Sequence, residues 1–171
     1  MKPSSLVSSL CALALLAAPA AVSAGQAPRV SAASLQKLPQ PLPLPYDEKA
    51  DADRAVAQAK ARAKKNRKLL LIDLGGNWCP DCRVLAGVME LPEMRAYIAK
   101  HYELVSVDIG RFDRNGQIAA HWGVNKLDGV PALLVVNPQT DKLLNRSKLF
   151  ALADARSMTP QALAEWIAQW V

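Results

Sequence analysis

Cysteine is scarce in this chain: only three of its 171 residues are cysteine, and Cys11 lies in an apolar stretch at the N-terminus. Histidine is scarcer, with His101 and His121 alone, and neither stands at a spacing that completes a metal site with the cysteines. No glycine-rich nucleotide loop and no internal repeat is visible. The run Cys79-Pro80-Asp81-Cys82-Arg83 lacks the histidine that covalent haem attachment requires. The basic residues do not gather into one block interleaved with aromatics, so no nucleic-acid partner is expected. These absences leave the chemistry to very few groups.

What is present begins with an address: residues 1–24 carry the composition of an export signal. Lys2 supplies one positive charge, Leu6 to Ala21 are apolar or small, and Val22-Ser23-Ala24 offers a cleavage site. The run is short and alanine-rich for a membrane span, although an uncleaved anchor would leave a membrane tether. Cleavage after Ala24 removes Lys2 and takes the net charge from +6 to +5. It also removes Cys11, leaving Cys79 and Cys82 as the whole thiol content. Disulfides persist outside the cytoplasm, yet the one this pair can form closes a loop of two residues. So small a loop removes little chain entropy, which argues for redox exchange over stapling. A periplasmic or secreted location is expected.

Residues 25–45 read as a proline-rich linker, because Pro28, Pro39, Pro41, Pro43 and Pro45 exclude a helix and favour an extended chain. From Tyr46 to Val171 the pattern is that of one α/β domain. Asp47 or Asp51 caps a helix with the stripe Ala52, Ala55, Val56, Ala59 and Ala63. Leu69 to Leu74 is an apolar run that suits a strand buried on both faces. A helix opens within the cysteine motif and runs to about Glu90, and another follows Pro92. Tyr102–Asp108 and Ala132–Asn137 read as strands, and Lys142-Leu143-Leu144 as the return of a hairpin. Thr159-Pro160 caps a last helix that buries Leu163, Ile167 and Trp170. This order predicts a central mixed sheet with helices on both faces.

Two cysteines three positions apart form either a metal half-site or a redox pair. Here they follow a predicted buried strand and open a predicted helix, which favours the redox pair. Cys79 at the helix N-terminus is placed for thiolate stabilisation by free N–H groups and the dipole. Cys82, on the face shared with Leu85 and Met89, is the more buried sulfur.

The segment Ile72-Asp73-Leu74-Gly75-Gly76-Asn77-Trp78-Cys79-Pro80-Asp81-Cys82 resembles the strand and active-site motif of thioredoxins. Gly129-Val130-Pro131-Ala132 is similar to that family's Gly-aliphatic-cis-proline segment. The resemblance spans about Tyr46 to Val171 and implies a thioredoxin-like fold. It also implies that Asp73 is a buried acid helping to deprotonate Cys82, where the alternative is a strand-end Asp bound to backbone groups. Trp78, Val130 and Pro131 are implied to meet the substrate; as alternatives, Trp78 merely packs and Pro131 merely starts a strand. Pro80-Asp81 departs from the usual Gly-Pro of the motif. A carboxylate beside the thiols is expected to disfavour the Cys79 thiolate and to tune the protein towards reduction. The charged stretch Gly110 to Gln117 is longer than the usual loop and is given no role.

The expected activity is therefore a thiol–disulfide oxidoreductase that reduces disulfides of exported proteins. It would need no cofactor beyond its own Cys79–Cys82 disulfide, no metal, and a membrane or soluble thiol electron donor. An oxidant is the opposite direction of the same chemistry. An isomerase is disfavoured, since residues 25–45 hold no dimerisation domain. The reading from another class is a soft-metal or haem-assembly chaperone using the two thiolates.

Overall fold

The computed structural model describes residues 25–171. The export signal expected of residues 1–24, with its expected cleavage site, lies outside the described residues. Four strands form one sheet in the order β2-β1-β3-β4, with β1 Leu69–Gly75, β2 Tyr102–Asp108, β3 Ala132–Asn137 and β4 Lys142–Leu143. β1 runs parallel to β2 and antiparallel to β3, and β4 returns antiparallel to β3. The sheet is mixed, as the order of elements predicts. β4 is only two residues long, but Asn145 extends its edge with a side chain. Its buried amide donates to the Leu133 carbonyl at 2.7 Å and accepts from Val135 N–H at 2.9 Å, so β3 keeps its backbone partners.

Among the described residues five α-helices cover the two faces: α1 Ala52–Asn66, α2 Pro80–Met89, α3 Pro92–His101, α4 Gly116–Ala120 and α5 Pro160–Ala168. Side chains alternate along each strand. Leu70, Ile72, Leu74, Leu134 and Val136 therefore pack with α1 and α4, while Leu71, Leu133 and Val135 pack with α2, α3 and α5. Asp51 is the cap of α1, its carboxylate accepting from Arg54 N–H at 3.0 Å. The helix ends where Arg67 turns left-handed at φ 55°. Thr159 caps α5 through Ala162 N–H, with Pro160 in its first turn. Leu163 and Ile167 are buried there, but Trp170 lies past the helix end and is only half-buried.

The segment 25–45 departs from the free linker expected of its prolines. Gly25 N–H donates to Val171 carbonyl at 2.7 Å, and Val30 N–H donates to the Gln161 side chain at 3.0 Å. Ala32 and Leu38 are buried in the core shared with α2, α3 and α5. Arg83 on α2 donates to the carbonyls of Leu42 and Pro43. Leu42 sits so close to Gly87 that a β-carbon there would approach its methyl to 2.9 Å. Composition correctly excluded a long helix from these residues; it could not show that their few apolar side chains would find a helix face to cover.

Candidate active site

β1 delivers Asp73 and α2 delivers both cysteines to the same end of the sheet. Asp73 lies within β1, paired to Ser106 on one side and Leu133 on the other, and is wholly buried. The chain then turns through Gly76, Asn77 and Trp78 and enters α2 at Cys79. Cys79 is the N-cap of α2: its sulfur accepts the Cys82 N–H at 3.2 Å, and Pro80 occupies the first turn, where no N–H is needed. Both cysteines are thiols in this structure, Cys79 only 3% exposed and Cys82 fully buried.

The surroundings push the two sulfurs in opposite directions. The Cys79 thiol is lowered to about 7, first by the hydrogen bond from the Cys82 thiol and then by backbone N–H groups of the capped helix end, against the opposing cost of burial. Cys82 is raised well above its ordinary value by the bond to Cys79 and by burial. This asymmetry suits an attacking Cys79 and a resolving Cys82 that must be deprotonated before it acts.

Behind Cys82 stands an acid. Burial raises Asp73 to about 7, partly offset by the Tyr46 hydroxyl, which lies 2.9 Å from both carboxylate oxygens. A carboxyl that titrates near neutrality exchanges protons at working pH. Tyr46 was not foreseen as a site residue. It enters from the end of the proline-rich segment and is pinned by Asn77, whose amide donates to Tyr46 carbonyl at 2.8 Å and accepts from Tyr46 N–H at 3.1 Å. Gly75 is what admits the hydroxyl, because a β-carbon there would fall 2.3 Å from Tyr46 Oη and 2.8 Å from Cys82 Sγ. No periodicity announces such a pairing; the Tyr46 and Asn77 residue types alone carry no signal of it.

The far wall is the β3 entry. The Val130–Pro131 peptide is cis, and Cys79 Sγ approaches the Val130 carbonyl oxygen at 3.7 Å. On the other side Trp78 is 38% exposed, its indole N–H donating to Gly110 carbonyl at 2.6 Å. Thus Asp73, Trp78, Cys79, Cys82, Val130 and Pro131 converge on one end of the sheet.

Asp81 stands beside the thiols as expected, but it is buried and held by a partner the sequence did not show, Arg156. The Arg156 backbone N–H donates to its carboxylate at 2.9 Å, and the guanidinium Nε lies 3.1 and 3.2 Å from its two oxygens. Its charge still opposes the Cys79 thiolate, but the effect is smaller than the hydrogen bonds that favour it. Arg156 lies 75 residues away in sequence, in the short 3-10 turn Ala155–Ser157, which no motif marks.

With this geometry in view, the comparisons with known proteins are decisive for family. A family model described as thioredoxin-like matches residues 51–138, just over half of the chain. The crystal structure of a disulphide isomerase from Xylella fastidiosa Temecula1 is 41% identical, with a TM-score of 0.70, over 76% of this chain and 98% of that one. The chain belongs to the thioredoxin-like family. Two less similar structures are the oxidised C-terminal domain of DsbD from Neisseria meningitidis and a thioredoxin from Trichomonas vaginalis. Each is 20% identical; the first covers 56% of this chain and 83% of its own at a TM-score of 0.42, the second 67% and 98% at 0.38. No curated protein matches the sequence.

The other residues weighed for function lie apart in this thioredoxin-like chain. His121 pairs with Asp141 at 2.9 Å, and His101 packs on Tyr97 with ring centroids 4.5 Å apart. Among the described residues no group of three or more His, Cys, Asp and Glu is arranged to hold a metal ion. No helix among them is long and apolar enough to cross a membrane.

Proposed function

We propose that this thioredoxin-like protein is a thiol–disulfide oxidoreductase that reduces disulfides of exported polypeptides through Cys79 and Cys82. The observation that carries the reading is the Cys79 sulfur capping α2 while Cys82, buried one turn later, faces the Asp73–Tyr46 pair. The Cys79 thiolate attacks one sulfur of a substrate disulfide; that S–S bond breaks, and the other substrate sulfur leaves as a thiolate and takes up a proton. Cys82 gives its proton to the Asp73 carboxylate, with Tyr46 holding that carboxylate in place. The Cys82 thiolate attacks Cys79 Sγ and expels the second substrate thiolate. The substrate gains two electrons, and the protein is left with the Cys79–Cys82 disulfide. An external dithiol donor then returns it to the reduced state.

The reducing direction is supported by the modest stabilisation of Cys79. A thiol held at about 7 lies in the range of thioredoxin, about 7, and far from the value of about 3.5 that marks a strong oxidant. Export is supported by the composition of residues 1–24, and a thiol donor outside the cytoplasm follows from it. Cys79 and Cys82 supply the redox disulfide, so no separate cofactor is required.

A second reading has a specific observation behind it, since the 41% identical Xylella protein is a disulphide isomerase. Isomerisation uses the same attack by Cys79 but returns the electrons to a new disulfide in the same substrate. The two are separated by incubating the reduced protein, in substoichiometric amount, with a scrambled disulfide protein. A reductase is expected to recover native protein no faster than buffer without a dithiol donor, and to release free thiols once dithiothreitol is supplied. Catalytic recovery without a donor would assign isomerisation. Failure to accelerate either process would end the oxidoreductase reading.

A further inference from the structure

The loop between β2 and α4 is built to present two side chains. Asp108 is buried at its start, accepting from Gly110 N–H at 3.2 Å and pairing with Arg114 at 3.2 Å. Asn115 donates to the Asp108 carbonyl at 2.7 Å, and Asp113 accepts Arg111 N–H at 2.9 Å. The loop's own acids are thus engaged within it, and Phe112 is held outward at φ 67° with half of its surface exposed. Its ring lies 6.2 Å from that of Trp78, and the Arg111 guanidinium sits 4.5 Å from the Trp78 ring centre. Arg111 makes no ion pair among the described residues.

A cavity of about 550 Å³ lies beside this platform; its lining includes the apolar Ile109, Phe112, Val124 and Leu127 together with the charged Arg114, Lys126 and Asp128. Its second wall ends two residues before Val130, whose carbonyl meets Cys79. Phe112 does not stand alone: it joins the exposed Trp78 ring and the apolar lining of the cavity in one continuous surface. The neighbouring cation has no carboxylate partner among the described residues, and both side chains flank Trp78, the residue before Cys79.

We propose that the Gly110–Asn115 loop is a side-chain recognition site for the substrate polypeptide. An apolar side chain beside the reacting cysteine seats between Phe112 and Leu127, and an adjacent carboxylate pairs with Arg111. The proposal rests on the disulfide-exchange reading and adds to it a substrate class: segments where cysteine is flanked by a large apolar and an acidic residue. The apolar seat supplies discrimination of the size usual for a partly open hydrophobic pocket, about tenfold. The exposed ion pair contributes mainly to selection among substrates and is weakened by salt.

The test uses the reduced protein and short peptides whose single cysteine is joined by a disulfide to a chromogenic thiol. Single-turnover release of that thiol is followed for peptides with Leu or Gly, and with Asp or Asn, beside the cysteine. The expected result is a Leu-over-Gly preference of about tenfold. It should collapse in Phe112→Asn, since asparagine tolerates the left-handed backbone and so keeps the loop's shape. Arg111→Gln should abolish the Asp-over-Asn preference while the Leu preference persists. Release with no side-chain preference, or preferences unchanged in both variants, would overturn the proposal alone. No release from any peptide would overturn the exchange reading as well.

Discussion

Asp73→Asn is expected to stabilise the reduced protein at pH 8 while slowing its turnover. The wholly buried carboxyl titrates near 7, against 3.8 for an unburied aspartate, so the folded state holds the proton more tightly than the unfolded chain does. Below pH 4 the group is protonated in both states and costs nothing. As pH rises towards 7 the unfolded chain ionises freely while the buried group resists, and stability falls; above 7 the loss is complete. A gap of about three units sets a ceiling of about 4 kcal/mol. Asparagine leaves part of an amide unsatisfied in the same place, a cost of about 1–3 kcal/mol. A net gain of about 2 kcal/mol at pH 8 remains, by the same reckoning. Urea unfolding at pH 5 and pH 8 measures it, with the gain confined to pH 8. Turnover should fall about 100-fold, the lower end of what a positioned proton acceptor contributes. A variant equally destabilised at both pH values would make Asp73 an ordinary strand residue that binds its neighbours.

The second large effect concerns the ion pair beside the nucleophile. Four groups face Cys79: Cys82 and Asp81 on α2, Asp73 on β1, and Arg156 on the turn before α5. Arg156→Gln leaves the buried Asp81 charge uncompensated, and the Cys79 thiol should rise from about 7 by roughly one unit. Asp81→Asn removes the repulsion and leaves Arg156 facing the sulfur, so the thiol should fall below 7. The pH dependence of alkylation by iodoacetamide reads both shifts. A destabilised thiolate weakens the reduced state only where it is ionised, so Arg156→Gln should lower the reduction potential above pH 7 and leave it unchanged at pH 5. Two variants that loosened the same contact without electrostatic consequence would shift in the same direction or not at all. Opposite shifts are what the charge argument requires.

These effects also mark what could be read from the sequence. The strands Tyr102–Asp108 and Ala132–Asn137 were legible because apolar runs bounded by turns have few other solutions. The Cys79–Cys82 pair, Asp73 and Pro131 were legible through local spacing and the thioredoxin resemblance. Tyr46 and Asn77 were not, since their bond joins a segment end to a tight turn 31 residues away. Arg156 was hidden for the same reason: the sign of Asp81's opposition to the Cys79 thiolate was legible, but its compensation by a partner that folding supplies was not. The proline-rich segment misled because composition reports the backbone conformation a stretch prefers, and says nothing of the helix face it covers. Phe112 was invisible as a functional residue until the fold set it beside Trp78.

The central claim is that Cys79 and Cys82 form a reversible two-electron couple poised for reduction. Equilibrium titration of the protein in thiol–disulfide buffers, followed by tryptophan fluorescence from the half-exposed Trp78, tests it most directly, with Cys82→Ser as the control. A single two-electron transition near about −270 mV, absent from the control, is the predicted result. A transition near about −120 mV would make the protein an oxidant, and the absence of any reversible transition would contradict the account altogether.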